Sequence, residues 1–99
     1  MQAHYLLQDV IVDTVGTAAT STGGPMVLQV SATSYGSGSV TIQGRFDALE
    51  WTTLTYGGNP AVFTSNQLLK LDYAPNGMSL RATLSGSTGA TAVNVVLFG

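Results

Sequence analysis

Met78-Ser79-Leu80-Arg81-Ala82-Thr83-Leu84-Ser85 alternates apolar and polar side chains without interruption. Two residues is the period of a β-strand, in which i and i+2 share a face, so the segment has one dry face and one wet one. Wound as a helix, the same residues would scatter their apolar groups around the whole cylinder. The pattern recurs along the chain. Leu28, Val30 and Ala32 alternate with Gln29, Ser31 and Thr33, and Val40, Ile42, Gly44 and Phe46 with Thr41, Gln43 and Arg45. Leu69, Leu71 and Tyr73 oppose Lys70 and Asp72. Val93, Val95 and Leu97 share a face, while Val96 and Phe98 make the other face partly apolar.

Turn formers separate these runs: Gly23-Gly24-Pro25, Gly36-Ser37-Gly38, Gly57-Gly58-Asn59-Pro60, Pro75-Asn76-Gly77 and Gly86-Ser87-Thr88-Gly89. They place strands near 4–14, 26–34, 38–46, 51–56, 60–65, 67–73, 78–85 and 91–98. Ala18 to Gly24 reads as a loop. Asp47 to Glu50 carries the spacing of a one-turn cap and reads as a tight loop between strands. No segment holds a helical period over ten residues, and no repeat of solenoid length is present. About eight short antiparallel strands predict an all-β fold, a jelly-roll-type sandwich.

Ninety-nine residues make one domain, 1–99, in which 1–13 is an extended N-terminal arm or the first strand. The 44% hydrophobic content is enough for a core, and a net charge of -2 argues against disorder. Only 8% of residues are charged, against about 25% in ordinary soluble domains. Thr and Ser together supply 22 residues. Polar faces built from Thr, Ser and Gln can be covered by a neighbour without desolvating ions. The composition therefore predicts a chain that works inside an assembly.

The same residues exclude several function classes. There is no cysteine, hence no disulfide frame or thiolate metal site. Three cations cannot track a phosphate backbone, so no nucleic acid is expected as a partner. No apolar run approaches the roughly 20 residues of a membrane helix, and no membrane partner is expected. Met1-Gln2-Ala3-His4-Tyr5 does not resemble a secretion signal, which predicts synthesis in a cytoplasm.

Two segments carry a family likeness: Ser37 to Leu54, and Leu69 to Ala82 running on through Gly86-Ser87-Thr88-Gly89-Ala90-Thr91. They resemble small β-sandwich structural proteins of tailed bacteriophages, in which a G-x-V-x-I-Q-G-S-x-D-G-x-x-W-x-x-L hairpin precedes an R-x-x-x-x-G-x-T hairpin. The likeness covers about two-thirds of the chain. Asp47-Ala48 replaces the usual Asp-Gly, so a turn with positive φ is not expected there. The resemblance implies a virion structural protein without enzymatic activity: a head decoration or cement protein on the outer capsid surface. It further implies the major capsid protein as partner and self-association, as a trimer. Similar hairpins occur in tail, fibre and baseplate modules that bind host carbohydrate, which is the alternative.

The candidate interface residues are Tyr5, Asp9, Asp13, Arg45, Lys70 and Arg81. Asp9 and Asp13 are expected on one strand face, where they would hold calcium, pair with an arginine of a neighbour, or stand solvated. Asp47, Glu50, Asp72 and Asn76 offer oxygens without the spacing of a calcium loop. Arg45, Lys70 and Arg81, the only cations, are expected on polar faces, as partners for carboxylates across an interface. Under the carbohydrate alternative Tyr35, Trp51 and Tyr56 stack on sugar; otherwise Trp51 packs a sheet and the tyrosines rim the strand ends. His4, the only histidine, has neither the companions a metal needs nor the nucleophile and acid that catalysis needs. No catalytic residue, cofactor or metal is assigned.

Overall fold

The computed structural model describes residues 3–21, 23–47, 49–74 and 76–98, and of 71–74 the backbone. All regular structure in these residues is strand: β1 (Ala3–Val10), β2 (Thr14–Val15), β3 (Ala19–Thr20), β4 (Gly24–Ser31), β5 (Ser39–Phe46), β6 (Thr52–Thr53), β7 (Thr55–Tyr56), β8 (Asn59–Pro60), β9 (Val62–Phe63), β10 (Gln67–Ala74), β11 (Met78–Ser85) and β12 (Val93–Phe98). The first sheet runs β1-β12-β4-β10. The second runs β2-β11-β5-β6, with β3 also on β11 and β9 also on β5. Every pairing is antiparallel.

The alternation decides what lies between the sheets. Leu28 and Val30 of β4, Val95 and Leu97 of β12 and Leu69 of β10 join Val40 and Ile42 of β5 and Leu80, Ala82 and Leu84 of β11 in one buried cluster. The fold is thus an all-β sandwich, each sheet lending one apolar face to a shared core. β5 and β11 pair along their whole length, from Ser39 against Ser85 to Phe46 against Met78.

The expected first strand, 4–14, is in fact two. Asp9 has φ 49°, β1 ends at Val10, and the chain crosses to the second sheet as β2. The register of β1 on β12 slips between Tyr5 and Leu7, and both Leu6 and Leu7 are buried. That is the signature of a bulge. Where the chain passes between the sheets, Gly16 donates to the Ala82 carbonyl at 2.8 Å and Thr17 to the Leu6 carbonyl at 3.1 Å. A Cβ on residue 16 would stand 2.0 Å from the Leu6 oxygen, so only glycine fits.

Ala18–Gly24 is not wholly loop: Ala19 and Thr20 form β3, and β4 starts at Gly24. Ser21, the one buried polar residue among those described, donates its amide to Met78 and accepts from Gly77 through its carbonyl and from Gly23 through Oγ. The expected strands 51–56 and 60–65 are each broken. Gly57 and Gly58, with φ 61° and 83°, make the two-residue turn of the β7–β8 hairpin.

Candidate functional site

The outer face of the second sheet gathers two arginines and the tryptophan. Inward positions of β5 and β11 are apolar, which leaves Gln43 and Arg45, Ser79 and Arg81 pointing outward. Arg81 faces Gln43 and Arg45 faces Ser79, so the arginines are diagonal neighbours, a separation long side chains bridge. Trp51 immediately precedes β6, whose Thr52 pairs with Gly44 of β5. Its ring centre lies 4.4 Å from the Arg45 guanidinium carbon and 4.5 Å from that of Arg81. Both cations stack on one ring, attracted by its quadrupole.

Their hydrogen bonds leave capacity over. Arg81 donates from Nε to Gln43 Oε1 at 2.8 Å. Arg45 makes one long contact, Nη1 to the Leu49 carbonyl at 3.4 Å, and its buried Nε has no partner. Among the described residues neither guanidinium meets a carboxylate.

At the same end of β5, but on the core-facing side of the sheet, is a cleft of about 510 Å³ lined by Phe46, Leu49, Leu54 and Met78 together with three threonines, Arg45 and Glu50. Phe46 is 46% exposed and Leu49 66%. Gly44 makes room for Leu54: a Cβ there would come within 3.0 Å of a Leu54 methyl. The Leu49 amide donates to the Phe46 carbonyl at 3.2 Å and closes the loop. Asp47 has φ 55°, so the turn does use a positive φ, and carries it on the aspartate, a residue that tolerates it. The expectation that the Asp47-Ala48 replacement would remove that conformation is corrected.

The other candidates lie elsewhere. Tyr5 and Lys70 are on the outer face of the first sheet. One row there reads Tyr5, Val96, Gln29 and Leu68, and the next Phe98, Val27 and Lys70. Asp9 and Asp13 do not share a strand face, because β1 ends between them. The Asp9 amide donates to Asn94 Oδ1 at 2.9 Å. Asp13 accepts from the Gly86 and Ser87 amides at 3.1 and 2.9 Å and from the Ser87 hydroxyl. Those bonds, the hydroxyl first, hold its carboxyl below the ordinary 3.8.

Tyr35, Trp51 and Tyr56 do not converge. Tyr35 packs on the core near the start of β5 and donates to Asn66 Oδ1 at 2.8 Å; burial raises its phenol above the ordinary 10.0. Trp51 is at the opposite end of β5, about 20 Å away at strand rise. Tyr56 belongs to the β7–β8 hairpin. The side chains of Asp72 and Tyr73 lie outside the described residues. Among those described, no three His, Cys, Asp or Glu residues could share a metal ion.

Sequence reasoning missed Gln43, which orients Arg81, and Asn66 and Asn94, which anchor Tyr35 and Asp9. Gln43 was discoverable, since pairing the two alternating strands puts it opposite Arg81. Asn94 announces itself as the polar residue inside the apolar run Val93 to Leu97. No family model, curated protein or solved structure matches this chain.

Proposed function

We propose that the chain is a structural protein of a tailed-phage virion: a head decoration or cement protein that binds the outer capsid surface, with the major capsid protein as partner, as a homotrimer. The sequence likeness supplies the phage setting. The observation that carries the assembly role is the outer face of the first sheet. Its two rows hold Tyr5, Val96, Gln29 and Leu68, then Phe98, Val27 and Lys70, with one charge among them. Tyr5 is 49% exposed and Leu68 69%. A sheet face whose two rows carry Lys70 as their one charge is suited to burial against another protein.

The strand order favours the jelly-roll form of the sandwich. Joining β2 to β3 and β6 to β9 leaves eight strand positions, ordered 1-8-3-6 in one sheet and 2-7-4-5 in the other. We read this interleaving as the winding of two Greek keys. Function then follows from mass action: a protein that binds only the assembled shell stabilises it, and repeated contacts multiply modest affinities.

Co-sedimentation with purified expanded heads tests the role. Near-stoichiometric binding, with a rise in the temperature at which the shells come apart, is the expected result. Binding to host glycans with indifference to shells would replace it by a tail, fibre or baseplate role. The scatter of Tyr35, Trp51 and Tyr56 weighs against that outcome.

A further inference from the structure

We infer that the Arg45–Trp51–Arg81 patch is a docking site for an acidic segment of a partner polypeptide. A Glu or Asp carboxylate would sit on the guanidiniums. The inference deepens the assembly reading, on which it rests for the partner being a protein.

Charge gives the first argument. Arg45 and Arg81 are two of only three cations in the chain, and among the described residues neither has a carboxylate. Arg81 uses Nε on Gln43 and keeps both terminal amino groups; Arg45 keeps Nη2. A guanidinium fork is shaped for the two oxygens of a carboxylate.

Order gives the second. Stacking on Trp51 at 4.4 and 4.5 Å restrains both forks before a ligand arrives, so less rotamer freedom is lost on binding. The donors of a stacked guanidinium lie in its own plane, so a carboxylate meets them edge-on without displacing the ring.

An acidic polypeptide is chosen over an acidic sugar because the chain is read as a component of a protein assembly, and because Tyr35, Trp51 and Tyr56 offer a sugar no shared stacking surface.

The test is a titration of isotope-labelled protein, followed at the indole N–H of its single tryptophan and at the arginine Nε–H signals. The probes are acetyl-Leu-Glu-Leu-amide, acetyl-Leu-Gln-Leu-amide and glucuronate. The Glu peptide is expected to move the Trp51 and both arginine signals and to bind at least about tenfold more tightly than the Gln peptide, the factor one charge-assisted hydrogen bond supplies. R45Q and R81Q are each expected to weaken it by a similar factor with the backbone spectrum intact. R81K, which keeps the charge and loses the fork, should recover part of the loss. If R81Q disturbs the fold, R45Q and R81K decide the matter.

Equal binding of the two peptides, a Trp51 signal that none of them moves, or tighter binding of glucuronate would each overturn the inference. So would a Trp51 signal that shifts with protein concentration alone, since a second copy would then occupy the patch. Peptide binding that fails while heads are still bound removes this inference and spares the assembly reading. Peptide binding that persists without head binding does the reverse.

Discussion

The Trp51 ring and the Arg81 guanidinium stand 4.5 Å apart, although Trp51 leads into β6 and Arg81 sits in β11, on the far side of β5. The contact spans three strands and clamps the outer surface of the second sheet, with Arg45 of the strand between them on the same ring.

Removing the ring should therefore loosen the sheet locally. Trp51→Ala is expected to cost about 1–3 kcal/mol, from two cation–π contacts and the apolar area the ring covers. Trp51→Phe, a smaller and weaker ring, should cost less. Urea unfolding of both variants measures the difference, and a neutral Trp51→Ala would mean that the stack carries no stability.

Asp13 ties the β1–β2 corner to the loop after β11 by accepting from Gly86 and Ser87. Its carboxyl titrates below 3.8 in the folded chain, mainly because the Ser87 hydroxyl bonds the ionised form. The folded state thus holds this proton less tightly than the unfolded one. Its contribution is complete above pH 3.8 and is lost as pH falls through the lowered value. Melting temperature against pH should fall less steeply below pH 3.8 in Asp13→Asn than in the wild type.

Tyr35 gives the opposite limb. Burial raises its phenol above 10.0, so the stability linked to the neutral form is complete below that pH and is lost as pH rises through the raised value. Tyr35→Phe should lose the bond to Asn66 at neutral pH and flatten the alkaline limb, both visible in melts from pH 8 to 12.

Two glycines separate crowding from backbone strain. Gly16→Ala drives a Cβ to 2.0 Å from the Leu6 oxygen and 2.7 Å from the Ala82 oxygen, backbone on both sides. It is expected to cost about 3 kcal/mol or more, at the severe end of overpacking. Gly58→Ala meets open space but keeps φ at +83°, and should cost about 1–2 kcal/mol. Denaturant midpoints that reverse this order would refute the account.

Leu80 and Leu68 test the two faces. Leu80 is fully buried, so Leu80→Ala should cost about 2–5 kcal/mol. Leu68→Glu on the outer face of the first sheet should change folding by no more than about 0.5 kcal/mol. If the proposed trimer forms through this face, sedimentation velocity should nevertheless show weaker self-association, because the new charge would be desolvated in the contact.

The strands β4, β5 and β11 were legible in the sequence because each carries an apolar–polar alternation. The dry faces of β4, β5 and β11 fall on the residues the pattern assigns to them. Misplacement came where the chain leaves the plane of a sheet. Nothing in Ala3–Thr14 announces that Asp9 takes a positive φ or that Leu6 and Leu7 are both turned inward, since a bulge is a property of the pair and not of one strand. The Arg–Trp stack was hidden for a related reason. Facing directions can be read from one strand at a time, but meeting Trp51 requires the register of β5, β6 and β11 together. The separation of Asp9 from Asp13 follows from the same break in β1.

β1 is paired along β12, so residues 3–10 find their partners in residues 93–98. On a ribosome, which adds roughly 5–20 residues each second, Leu6 and Leu7 must wait several seconds before the strand that covers them exists. During that interval the nascent chain presents an apolar segment whose native partner has not been made. An order of events follows: β5 and β11 can join while β1 is still unmatched, and closure of the first sheet waits until β12 has been made.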